Sequence, residues 1–468
     1  MSDENQNLFN KWQAEQAYLN EQKKLHPELF TKTEGIDVTA QLQRVGIVVP
    51  YEPLAAGFVK FYPFDFIVEE IKKDGQIVRV DNDPSPSELP PPAPFVSADL
   101  VKIGISTIDA VRELAAKFNL KETQIGYGGI KDAIALTAQR LTFSNARKED
   151  LESMPATNYF LKNFSYQNDS ISQASINGNQ FTILVRTKDA IAEEELRHRL
   201  DLLSAKGFWN FYWLQRFGNR LLSHWWGLLL LQGKEERAIR SFLCDPGPNE
   251  LPFFANLRKQ ANEKFEKWEE MIELYKVLPY SMRNELIVLN YLKEFRHDYV
   301  GAMRVIPEQV KLWVQAYGSF LFNKVLSLHA ANPESAPASI PQLLSTNPKD
   351  LEVYKQFLQM DKIPPDFMQK IRRFDFIRFV ARTTEARIVP KIHQYKIVPE
   401  GLVINFDLPK GVYATSFLSQ IFTLDGRIAN AVPTAQIDPK EILGTGSIQE
   451  TKDILKNHTV IRQLETLE

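Results

Sequence analysis

The chain has 468 residues, and its 56 Lys and Arg face 58 Asp and Glu for a formal net charge of -2. Its hydrophobic fraction of 44% and charged fraction of 24% suit a globular protein, with length for two or three domains at about 150 residues each. A single cysteine, Cys244, excludes an intramolecular disulfide framework and points to a reducing, cytoplasmic setting; the near-neutral total argues mildly against a generic nucleic-acid binder, which carries a basic excess.

Met1 to Asn7 hold neither a basic nor an apolar region, so they do not read as a signal peptide. Residues 1–45 are polar and mixed in charge, an N-terminal extension expected to be helical in part. From Gly57 onward Phe66, Val68 and Glu70 alternate with Ile67, Glu69 and Ile71, which predicts a strand with Pro63 at its entrance. Six of the 27 prolines crowd into 84–94, an exposed extended loop. Ser106 and Asp109 then form a helix-start signal, and Ile108, Val111, Leu114, Ala115 and Phe118 make one apolar stripe. After the glycine-rich 126–132, Leu141 and Phe143 alternate with Arg140 and Thr142, a strand again.

Helical spacing dominates the middle of the chain. Phe265, Trp268, Ile272 and Tyr275 fall on one face, as do Trp313, Ala316, Tyr317, Phe320 and Leu321. The most apolar run, Trp225 to Leu231, is far too short to span a bilayer, so no membrane association is expected. Strand signals return at 397–398 and 402–406. A mixed first part, a helical block and a final β part predict an inserted domain: 46–235 and 388–468 would form the split domain, and 236–387 the insertion.

Metal and triad chemistry find little support. The seven histidines are scattered with no ligand spacing, Cys244 lacks a nucleophile signature, and no Gly-x-Ser-x-Gly elbow exists. Gly126-Tyr127-Gly128-Gly129-Ile130-Lys131-Asp132 has neither the spacing of a Walker loop nor that of a dinucleotide fingerprint. One reading is a tight turn ending in a solvated Lys-Asp pair. The other is a carboxylate, Asp132, held at a cleft floor with backbone close by, able to act as nucleophile or base without any cofactor.

Gly128-Gly129-Ile130-Lys131-Asp132, followed by Ala135-Leu136-Thr137-Ala138-Gln139, resembles the active-site motif of the TruD family of tRNA pseudouridine synthases. Other motifs follow in family order. Lys60-Phe61-Tyr62-Pro63-Phe64-Asp65-Phe66 resembles Lys-x-x-Pro-x-Asp-Phe, and Gly178-Asn179-Gln180-Phe181-Thr182-Ile183 is similar to Gly-Asn-x-Phe-x-Ile. Asn210-Phe211-Tyr212-Trp213-Leu214-Gln215-Arg216-Phe217-Gly218 resembles Asn-Tyr-Phe-Gly-x-Gln-Arg-Phe-Gly, and Leu408-Pro409-Lys410-Gly411-Val412-Tyr413-Ala414-Thr415 resembles Leu-Pro-x-Gly-x-Tyr/Phe-Ala-Thr. Ser319 to Asn323 is similar to the signature of the family's inserted domain. The resemblance covers roughly residues 50–420.

The resemblance implies an α+β fold: a pseudouridine-synthase-type catalytic domain with a mixed, mainly antiparallel sheet, and an inserted, largely helical domain. It also implies that Asp132 is the nucleophile, that Lys60 (and secondarily Lys131) supports its charge, and that Phe66, Asn210 and Tyr413 contact the flipped-out base. The substrate would be uridine 13 of tRNA, with other structured RNA as further substrates, no cofactor and no obligate protein partner. Ala133 stands where the family has Arg or Lys, Trp213 where it has Gly, Tyr212 where it has Phe, and Ser419-Gln420 where it has Arg-Glu. These departures motivate the competing reading, a TruD-like RNA-binding or RNA-folding protein with impaired turnover. Between 370 and 398 eight Lys or Arg face only Asp375 and Glu385, interleaved with Phe374, Phe376, Phe379 and Tyr395. Such a stretch suits phosphate neutralisation and base stacking, or else an ordinary solvated face.

Overall fold

Alternating residues over 66–72, 136–144 and 401–409 form strands of one sheet in a computed structural model, which describes residues 3–31, 37–50, 52–81, 93–248, 250–424 and 428–455. The proline-rich stretch lies outside the described residues over 84–92, as does the C-terminal tail from 456. The chain separates into two units: residues up to 51 with 209–387, and residues 52–208 with 388 onward.

The second unit is built on the sheet. Its main path uses β1 (Phe66–Lys72), β2 (Phe95–Lys102), β3 (Leu136–Ser144), β4 (Tyr159–Gln167), β5 (Ile176–Thr187), β6 (Lys391–Val398) and β7 (Gly401–Pro409). They lie in the order β6-β7-β5-β1-β3-β2-β4. Along this path every neighbour is antiparallel except β1 and β3, which run parallel with Ile67 opposite Leu136 and Glu69 opposite Ala138. The α+β, mainly antiparallel expectation therefore holds. A parallel pair brings the segments that precede its two strands to the same end of the sheet.

Both faces are covered over the central strands, so β1, β2 and β3 bury residues of both parities, whereas the edge strand β6 buries none. The helix Thr107–Lys117 opens on Ser106, whose hydroxyl accepts the Asp109 N–H at 3.1 Å. Its Ala110, Val111, Leu114 and Ala115 pack on Ala98, Leu100, Leu141 and Phe143. The helix Glu193–Lys206 sets Leu196, Leu200 and Leu203 against Phe181, Ile183 and Phe406. Charges caught between the layers pair, as when Arg140 reaches Asp99 at 2.8 Å.

The first unit is helical. Its long helix Pro307–Ala331 starts with proline at a position that needs no N–H and buries Val310, Trp313, Tyr317 and Leu321. The Trp225–Leu231 run lies in the helix Ser223–Leu231, which packs on that helix with the Trp226 and Trp313 ring centres 5.2 Å apart. Gly227 permits this approach, because a Cβ there would collide with the Trp313 carbonyl. One spacing is broken: Phe265 precedes the helix Trp268–Tyr275, since Glu266 takes a left-handed φ of 71° between them. Near the N-terminus the helix Asp3–Leu25 is tied into this unit by buried Glu15, which accepts the N–H groups of Tyr280 and Ser281 at 2.8 and 2.9 Å.

Candidate active site

Because β1 and β3 are parallel, Lys60 before the first and Asp132 before the second can meet. The Lys60 ammonium donates to Asp132 Oδ2 at 2.9 Å. Lys60 itself sits at φ 62°, a left-handed conformation that costs a residue with a side chain about 1–2 kcal/mol. Strain of this kind persists only where the surroundings over-determine it. Here Arg186 and the Tyr62 N–H hold the carboxylate of buried Asp65 in the turn Pro63–Asp65, at 2.8–2.9 and 3.0 Å. Burial pushes the Asp65 pKa up against the opposing pull of Arg186.

From Lys60 the ammonium lies 4.5 Å over the ring of Phe66, the first residue of β1. Phe66 is itself only 2% exposed, with Phe181 edge-on to it at 6.2 Å. The lysine side chain is 18% exposed and the Asp132 side chain 54%, so the carboxylate faces solvent while its cation is largely enclosed.

The loop that carries Asp132 is fixed by buried side chains. The register of β1 and β5 sets Phe66, Val68 and Glu70 opposite Ile183, Phe181 and Asn179. Lys131 crosses this face, with its ammonium 2.9 Å from Glu70 Oε2 and 2.7 Å from Asn179 Oδ1. Gly128 is needed for the crossing, since a Cβ there would lie 2.5 Å from Ile176 Cγ2. The Thr107 hydroxyl accepts the Lys131 N–H at 2.9 Å and donates to Gln139 at 2.8 Å, and the Gln139 amide donates to the Gly129 carbonyl at 3.1 Å. At the end of β2 the Lys102 ammonium, fully buried, donates to the carbonyls of Asp132 and Ile105 at 2.7 and 2.8 Å. Burial lowers its pKa from 10.5 to about 7, with Asp132 opposing that shift.

Lys60, Phe66 and Asp132 are thus brought together. Tyr413, 39% exposed, follows β7 in the same unit, where Leu408 lies opposite Asn179. Asn210 belongs to the helical unit; its side-chain amide donates to the Glu385 carbonyl at 3.0 Å and its N–H to Ala386. Lys131 is neither solvated nor loose: it is 5% exposed and paired with Glu70. The basic stretch divides between the units. Arg373 pairs with Glu235, Lys370 with Asp366 at 3.0 Å, and Arg387 lies 4.4 Å over Trp209, while Lys391 and Lys396 belong to β6. Among the departures from the family pattern, Trp213 is 8% exposed within the helical core.

Sequence reasoning missed Lys102 and Thr107. A lysine ending an alternating strand and a threonine opening a helix both look like surface residues. The available signal was Lys102 continuing the inward-facing series Ala98, Leu100.

The family model described as tRNA pseudouridine synthase D (TruD) matches residues 51–338. A protein of Methanocaldococcus jannaschii, named a probable tRNA pseudouridine synthase D 1, is 28% identical over 383 residues, covering 78% of this chain and 95% of its own. One from Methanococcus aeolicus, named a probable tRNA pseudouridine synthase D, is 26% identical over 404 residues, covering 78% and 96%. A solved structure from Methanosarcina mazei, described as a tRNA pseudouridine synthase D, superposes with a TM-score of 0.61 at 21% identity, over 84% of this chain and 99% of the other.

Proposed function

This chain belongs to the TruD family of tRNA pseudouridine synthases, and from that premise we propose that it isomerises uridine to pseudouridine in tRNA with Asp132 as nucleophile. The observation that carries the reading is the 2.9 Å pair between Lys60 and a half-exposed Asp132, at the head of the parallel strands. A carboxylate that must attack and leave again has to be ionised and reachable, and an adjacent cation favours the ionised form. In the reaction the N1–C1′ bond breaks, the base turns, and C5 bonds to C1′. C5 gives up its hydrogen and N1 gains one, so atoms balance without a cofactor.

A uridine in folded RNA must leave its stack, at a cost of a few kcal/mol, to reach Asp132. Exposed Tyr413 would stack on the extruded base, Phe66 would floor the pocket beneath Lys60, and Asn210 would meet the base edge. The site would act on uridine 13 in the cytoplasm, the basic residues between 370 and 398 would contact phosphates, and residues 236–387 would serve as the inserted domain. The competing scaffold-only reading loses one motive, because Trp213 is absorbed by core packing in the helical unit.

Tritium at C5 of uridine tests the reading. Incubated with tRNA transcript so labelled, the protein should release tritium to water. Tight binding of the transcript with no release would favour the scaffold-only reading.

A further inference from the structure

The Lys102 side chain is 0% exposed, and among the described residues its ammonium has no carboxylate partner. It meets carbonyl oxygens instead: Asp132 at 2.7 Å, Ile105 at 2.8 Å and Lys131 at 3.3 Å. An ammonium has three N–H donors for three such acceptors, whereas a neutral amine has two and a lone pair that would face the third. The cluster is therefore built around the charged form. Burying an uncompensated ammonium costs several kcal/mol, which an aliphatic side chain in the same place would avoid. The expense falls on the two consecutive carbonyls of the residues that make up the Lys-Asp pair.

We propose that Lys102 is a positioning residue for Asp132: its ammonium clamps the carbonyls of Lys131 and Asp132, fixes the direction of the Asp132 carboxylate, and places positive charge behind it. The inference rests on the reading of Asp132 as nucleophile. Around Lys102 the titratable groups are Asp132 and Asp109, which hold its proton, and Lys131 and Lys60, which repel it. Burial outweighs them and brings the pKa to about 7, so the clamp opens as the pH rises through neutrality. Stability runs the other way. The unfolded lysine keeps its proton up to about pH 10.5, so folding releases a proton between about 7 and 10.5 and stability rises across that window.

The test is single-turnover tritium release by full-length wild type and Lys102→Met, from about pH 6 to about pH 9, with tRNA affinity measured alongside. Wild-type rate should fall as pH rises through about 7. In Lys102→Met the rate should be lower by about 100-fold, without that alkaline fall and with unchanged affinity. A variant at wild-type rate, or one that keeps the same alkaline fall, overturns the proposal. Absence of release by wild type would instead sink the reading of function. In that event, or if the variant fails to fold, hydrogen exchange on wild type decides. The Lys131 and Gly104 amides, bonded to Thr107 Oγ1 and the Ala133 carbonyl, should lose protection above about pH 7 after correction for intrinsic exchange. Protection that stays constant across that range overturns the clamp.

Discussion

The charges around Asp132 are handled differently from the buried clusters of the helical unit. In the helical unit Arg258 meets Glu250 at 2.8 Å and Glu285 at 3.1 Å, and Arg220 reaches the same Glu285 at 3.6 Å while lying 4.5 Å over Trp226. Each carboxylate there faces a guanidinium, and the cluster is closed to solvent. In the sheet unit the pairs Asp65–Arg186, Asp99–Arg140 and Glu70–Lys131 are closed in the same way. Around Asp132 the rule breaks: the carboxylate is open, its cation is strained, and the lysine behind it meets carbonyls alone among the described residues. Closed clusters hold a fold, whereas an open pair on a rigid closed frame is poised for chemistry.

The largest expected effect is on the closed side. Arg258→Met takes the guanidinium from Glu250 and leaves buried Glu285 with Arg220 alone, at 3.6 Å, and should destabilise the helical unit by about 3 kcal/mol, read from its denaturant unfolding transition. A change under about 1 kcal/mol would mean the cluster is not the closed structural element described. Next comes Lys60→Met, which removes the cation at Asp132. Single-turnover release should drop about 100-fold while the unfolding midpoint barely moves, and the reverse pattern would make Lys60 structural. Smallest is Tyr413→Ala, which should slow turnover by about tenfold, the low end of base-stacking energies, and weaken overall tRNA binding less. Equal losses in rate and affinity would argue against stacking on the extruded base.

Local signals reached the sequence clearly. The Ser106 cap, the stripe through Val111 and Leu114 and the alternation at Leu141 and Phe143 depend on near neighbours, and they correspond to the helix Thr107–Lys117 and to β3. Motif order carried the family and the fold class. What stayed hidden depends on partners far along the chain. Arg140 alternates like a solvent-facing residue but is buried, because its partner Asp99 comes from a neighbouring strand and both sheet faces are covered. Lys440 gave no signal, since it bonds Glu69 at 2.8 Å and Asp81 at 2.9 Å across most of the chain. Lys102 shares its parity with Ala98 and Leu100, but its partners were hidden for the same reason: carbonyl acceptors have no side-chain identity to read. Left-handed Lys60 was equally silent, because no glycine or asparagine marks it.

The isomerisation should depend on the open carboxylate of Asp132. The most direct test compares wild type with Asp132→Asn in tritium release from C5-labelled tRNA, with transcript binding measured on the same preparations. Wild type should release tritium, the variant none above background, and both should retain binding. Release by Asp132→Asn at the wild-type rate would contradict that dependence.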